Sequence, residues 1–171
     1  MTKYLLRLFI SVALLLGLNS CGYKPSSKFS RSVTGEKIST SVHISLVDPE
    51  NTVLIKDAVD AAIVSTFHAS LVERAYSDTH LEIKMSSPSY TPIQYNSDGY
   101  VIAYRARVTL NIIRHTKGEK RSYNTHGSYD FSVEPNAIIT DQERFNAIKS
   151  SASKAINAFI AKLSAEGSLK K

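Results

Sequence analysis

Two long alternating runs joined by a tight turn constrain this chain more than any other feature. Tyr100, Ile102, Tyr104, Ala106, Val108, Leu110 and Ile112 fall on one parity; Val101, Ala103, Arg105, Arg107, Thr109 and Asn111 fall on the other. Successive side chains of a strand point to opposite faces, so the pattern predicts a long strand with one apolar face. Lys117-Gly118-Glu119-Lys120 supplies a hairpin turn. The return run sets Tyr123, Thr125, Gly127, Tyr129, Phe131 and Val133 against Ser122, Asn124, His126, Ser128 and Asp130. Such a hairpin must bury its apolar face under another layer, and the rest of the chain has to provide it.

The other segments match that need. From Lys37 to Val47, Ile38, Thr40, Val42, Ile44 and Leu46 alternate with Ser39, Ser41, His43 and Ser45, which predicts a half-buried strand. Asp48-Pro49 ends it and opens a helix predicted over 50–74, where Ile55, Val59, Ala62, Ile63, Phe67, Ser70 and Leu71 recur at helical spacing. Leu81, Ile83 and Met85 mark a second strand, and the Ser/Pro/Tyr-rich stretch 86–99 is read as a loop. Thr140-Asp141-Gln142-Glu143 is a capping box. The helix that follows carries Phe145, Ile148, Ala152, Ala155, Ile156, Phe159, Ile160 and Leu163 on one stripe, and Gly167 is expected to end it. The order is β-α-β-β-β-α. It predicts an α+β two-layer sandwich: a four-stranded sheet with two long helices on one face and a polar face left open. Residues 37–167 form one domain, with 168–171 a loose tail.

The N-terminus has the layout of an export signal. Lys3 and Arg7 precede an apolar run from Leu8 to Leu18, followed by small polar residues. The run is shorter than the ~20 residues of a membrane-spanning helix. It ends at Cys21, the one cysteine of the chain. A lone cysteine cannot close an intramolecular disulfide. Leu18-Asn19-Ser20-Cys21 resembles the bacterial lipoprotein box, which implies cleavage before Cys21, acylation of that residue and a membrane anchor. Residues 1–20 are thus read as a lipoprotein signal peptide. Residues 21–36 are the lipidated N-terminus and a tether, either a solvated linker or one whose Lys24, Lys28 and Arg31 touch anionic headgroups. The resemblance implies the outer membrane, because Gly22 stands where an inner-membrane retention Asp would. Loss of Lys3 and Arg7 lowers the formal charge from +6 to +4, a modest balance suited to phosphate or carboxylate partners. Export argues against nucleic acid.

Catalytic patterns are missing. His43, His68, His80, His115 and His126 share no metal-ligand spacing, though His43 and His126 would approach each other if their strands paired. There is no nucleophile elbow and no phosphate-cradling glycine loop. The chain is read as non-enzymatic, with no cofactor beyond the lipid on Cys21. Attention therefore falls on surface. Arg105 and Arg107 lie two apart on the outward side of the long strand, with Arg114 just beyond. They form either a stripe for an anionic ligand or a solvated face balanced by Asp130 or Glu82. Of the tyrosines, Tyr90 and Tyr95 are candidates for a partner interface; Tyr100 and Tyr104 are expected to be half-buried at the sheet edge.

Cys21-Gly22-Tyr23, the element order, the stretch from Tyr95 to Arg105 (YNSDGYVIAYR) and the stretch from Asn136 to Phe145 (NAIITDQERF) together resemble the LptE (RlpB) family of lipopolysaccharide-assembly lipoproteins. The versions it looks most like come from the Campylobacter and Helicobacter side of the bacteria. The resemblance implies a non-enzymatic outer-membrane lipoprotein that faces the periplasm. Such a protein plugs the LptD barrel, helps it assemble and assists lipopolysaccharide to the surface, so the implied partners are LptD and lipopolysaccharide. Family members can carry a basic residue after the turn glycine and near the last helix; here those positions are Tyr100 and Thr140, so no family ligand residue carries over. An adaptor lipoprotein of another envelope system is the alternative.

Overall fold

The computed structural model describes residues 31–43, 53, 56, 57, 60, 64, 70–86, 88–135 and 137–169. Six strands form one mixed sheet: β1 (Lys37–His43), β2 (Ser70–Leu71), β3 (Thr79–Met85), β4 (Ser89–Tyr95), β5 (Val101–Thr116) and β6 (Glu119–Ser132). β1 pairs in parallel with β2 and with β3. β3, β4 and β6 all run antiparallel to β5. The long hairpin is therefore the spine. β6 follows one edge of β5 from Thr116 back to Ala103. β3 and β4 lie end to end along the other edge, against Leu110–Thr116 and Val101–Arg107 respectively. The Ser86 amide bridges the junction by donating to the Thr109 carbonyl at 3.1 Å.

The two-layer α+β arrangement holds. The C-terminal helix, Asp141–Leu169, is about 43 Å long at 1.5 Å per residue. It packs Ile148, Ala152, Ala155, Ile156, Phe159, Ile160 and Leu163 onto Ile38, Leu81, Ile83, Val108, Leu110 and Ile112. Its start is the predicted capping box: the Thr140 amide donates to Glu143 Oε2 at 2.8 Å, and the Glu143 amide donates back to Thr140 Oγ1 at 3.2 Å. The bond from the Thr140 amide, and then one from the Thr140 hydroxyl at 2.7 Å, hold the Glu143 carboxyl below its ordinary range. Residues 53, 56, 57, 60 and 64 are helical. Thr40, on the same side of β1 as Ile38, donates to Asp60 Oδ1 at 2.6 Å, placing that helix on the same face of the sheet.

Four expectations are corrected. The sheet has six strands, not four. The stretch read as a loop contains β4; Pro92 masks it in the sequence, but proline is tolerated on an edge strand, and β4 has β5 as its one partner among the described residues. The first helix does not run to residue 74: Ser70–Leu71 joins β1 as β2, and Val72 donates to the Ile38 carbonyl at 3.0 Å. Gly167 does not end the last helix; it is buried within it. The predicted strand residues 44–47 and the signal and tether through residue 30 lie outside the described residues.

Candidate functional site

The open face of the sheet is the candidate site. β1 contributes Ser39, Ser41 and His43, β3 His80, Glu82 and Lys84, and β5 Arg105, Arg107, Thr109 and Asn111. The facing residues of β6 are Asn124, His126, Ser128 and Asp130, by strand register. It is a broad wall of hydroxyl, amide, imidazole and guanidinium groups on a rigid scaffold.

At one end of this wall, Arg105 and Asp130 are directly opposed in register and form a two-pronged pair, Nε to Oδ1 and Nη2 to Oδ2, both at 2.7 Å. The Arg105 hydrogen bonds hold the Asp130 carboxyl below its ordinary range. Arg107 lies opposite Ser128, is exposed, and makes no ion pair among the described residues. Arg114 does not join them. It is nine positions beyond Arg105, an odd separation, so it points to the helix side. It is 1% exposed there and donates to Glu166 Oε1 at 3.1 Å. Its guanidinium lies 5.7 Å from the Tyr123 ring centroid. Tyr123 also donates its hydroxyl to Glu166. Burial, then that bond, pushes the Tyr123 phenol up to about 12. Burial would raise the Glu166 carboxyl, but Tyr123, Arg114 and Arg121 outweigh it and hold it low. The three-arginine stripe is thus two residues, one of them already paired.

Toward the middle of the wall, register assembles a group that sequence reasoning missed. His43 Nε2 lies 3.0 Å from Glu82 Oε1, and His115 Nε2 lies 3.6 Å from Glu82 Oε2. Lys84 Nζ adds a contact at 3.3 Å, and it is the main cause of the lowered Glu82 pKa. His80 is held between two hydroxyls, Nδ1 2.9 Å from Ser39 Oγ and Nε2 3.1 Å from Ser41 Oγ. Its ring stands 6.0 Å from that of His115. Burial first, then the charges of Arg74 and His115, lowers the His80 pKa. His43 and His126 do not meet, because β3 and β5 lie between their strands. Among the described residues, no three His, Cys, Asp or Glu side chains are placed to hold a metal. The serine-histidine alternation of β1 was visible in the sequence; its partners required the parallel β1–β3 register.

The tyrosines also separate. Tyr95 is 58% exposed beside the 96–100 turn. Tyr90 sits on the helix side, half-buried against the core and edge-on to Phe131 at 6.4 Å. Tyr104 stacks on Phe131 at 6.1 Å. Tyr100, expected to be half-buried, is 45% exposed because it begins beyond the end of the paired strands.

The long edges are closed to further strands. Lys154 and Lys162 reach over from the C-terminal helix and donate to the Ser128 and Asn124 carbonyls of β6, at 2.8 and 2.6 Å. β4 carries Pro92 and two register shifts. Both devices blunt an edge against strand addition.

Comparison with known proteins gives the same architecture. The fold is similar to the rare lipoprotein B from Shewanella oneidensis, with a TM-score of 0.53 at 16% identity, covering 79% of this chain and 99% of that one. It is also similar to a putative lipoprotein from Caulobacter crescentus, with a TM-score of 0.52 at 11% identity, covering 84% and 96%. A search of curated proteins gives no match. The family model for lipopolysaccharide-assembly, LptE, matches residues 39–163, which span the sheet from β1 to the core-facing end of the C-terminal helix. On that match, the chain belongs to the LptE family of lipopolysaccharide-assembly proteins.

Proposed function

We propose that this chain is an outer-membrane lipoprotein, acylated at Cys21 and held at the periplasmic leaflet. In this reading it plugs and helps assemble an LptD-type barrel and assists lipopolysaccharide toward the surface. The family match over 39–163 carries the reading. The family is a non-enzymatic one, and the lipid on Cys21 is the only prosthetic group proposed. Cleavage before Cys21 removes residues 1–20, and the residues that follow serve as the tether up to the helical turn at 31–34, whose Val33 packs into the core.

Physical features support the plug role. Outer-membrane barrels have polar interiors, and the open sheet face is a rigid polar wall of matching character. With both long edges blunted, the domain meets a barrel through side chains on its faces, not through added strands. Arg107 is the cation best placed for an anionic group of lipopolysaccharide, because Arg105 already holds Asp130. Tyr95 is the tyrosine best placed for the partner.

The test is capture of the full-length lipoprotein from detergent-solubilised envelopes, with mass spectrometry of what comes with it. Recovery of an LptD-sized barrel at near equal stoichiometry supports the plug. Recovery of inner-membrane or periplasmic components without a barrel sinks it and favours an adaptor of another envelope system.

A further inference from the structure

The end of the domain opposite the 96–100 turn holds a cavity of about 570 Å³ that the plug reading does not use. It lies between residues 31–36, Asp78, and the β5–β6 turn with Thr116, Lys117 and Glu119. Two cations line it without an ion pair among the described residues, though the Lys117 charge also acts on Asp78. Arg31 Nε is buried with no acceptor among the described residues. Lys117 makes no ion pair among them and holds a left-handed backbone, φ 48°, at a turn position that Asn, Asp or Gly adopts more readily. The carboxylates differ in availability. Asp78 Oδ2 accepts from the Glu36 and Lys37 amides at 3.1 and 3.0 Å. Glu119 is bonded to Arg121 and lies 3.7 Å from Arg114. Glu36 is exposed on the cavity rim with no ion pair among the described residues. The cavity thus presents two available cations and one available carboxylate.

We propose that this cavity is a binding site for a zwitterionic phosphoethanolamine-type headgroup, its phosphate on Arg31 and Lys117 and its ammonium on Glu36. Planar guanidinium and point-like ammonium are both suited to phosphate oxygens. A primary ammonium has N–H donors for Glu36, which a quaternary choline lacks. Arg31 follows Cys21 by ten positions, a reach of at most about 35 Å of extended chain. A lipid surface holding an acylated Cys21 is within that reach; this step rests on the lipoprotein reading above. The site then orients the domain, turning the β5–β6 end toward the leaflet and the 96–100 end away from it.

The test is amide NMR of the full chain in detergent, titrated separately with O-phosphoethanolamine, inorganic phosphate and ethanolamine. Gly35 and Gly118 are expected to shift, with phosphoethanolamine binding about tenfold more tightly than either half alone. Arg31→Gln and Lys117→Asn should abolish the response; the second favours the turn, so loss of fold does not explain its effect. Glu36→Gln should reduce phosphoethanolamine to the level of phosphate. Equal binding of phosphate and phosphoethanolamine would mark a free-phosphate pocket and overturn the headgroup assignment, as would no response to any of the three. The mature chain from residue 21, with Cys21→Ser, should float with phosphatidylethanolamine vesicles several-fold better than with phosphatidylcholine vesicles; equal flotation overturns the lipid source. Intact mass decides acylation of Cys21 separately, so a failed anchor reading and a failed pocket are distinguishable.

Discussion

Gly127 of β6 lies against the backbone of Ser151 in the C-terminal helix: a β-carbon at position 127 would stand 2.0 Å from the Ser151 carbonyl oxygen and 2.6 Å from the Ala155 nitrogen. The glycine lets the helix descend onto the sheet, where Ser151 Oγ donates to the Ala106 carbonyl at 3.2 Å. Gly127→Ala is expected to push the helix outward and lower stability by at least ~2 kcal/mol, measured by urea unfolding. Unchanged stability would mean the helix does not seat this closely.

Arg114 and Glu166 lock the other end of the same helix. Glu166→Ala leaves the buried Arg114 guanidinium with only the longer 3.7 Å contact to Glu119, so it should lower stability by roughly 3 kcal/mol. Asp130→Ala, which breaks the exposed pair with Arg105, should have little effect. Equal losses for the two variants in the same unfolding experiment would contradict the burial argument.

Acid should destabilise the fold in two windows. His80 has a lowered pKa, caused first by burial, so the unfolded chain binds more protons once pH falls toward 6.5, and stability declines below that value. Asp78, held low by the Lys37 and Glu36 amides, contributes above its unfolded pKa near 3.8 and loses that contribution as pH falls further. Melting temperature against pH should therefore bend twice. His80→Asn should remove the upper bend and leave the lower one; an upper bend that survives assigns it elsewhere.

Arg107 separates interaction from stability. Arg107→Glu is expected to leave the melting temperature unchanged, since the side chain makes no ion pair among the described residues, and to reduce capture of the barrel or lipopolysaccharide several-fold. Capture at the wild-type level would move the anion-binding surface away from this face.

Local physics determined much of this protein. The alternation of β5 and β6, the Lys117-Gly118 turn, the Thr140–Glu143 box and the helical stripe from Ile148 to Leu163 are each dictated by residues near in sequence, and each stands in the structure as read. The family, too, was legible from short stretches and element order. Tertiary structure decided the rest. β4 exists because β5 extends past β3 and leaves an edge that even a proline-bearing segment can join. Arg114 left the surface stripe because its parity and Glu166, 52 residues away, place it under the helix. The His43–Glu82–His115 group exists because β1 pairs in parallel with β3. Side-chain alternation tells which face a residue takes, but only strand order and register, set by contacts far apart in the chain, tell what it meets there.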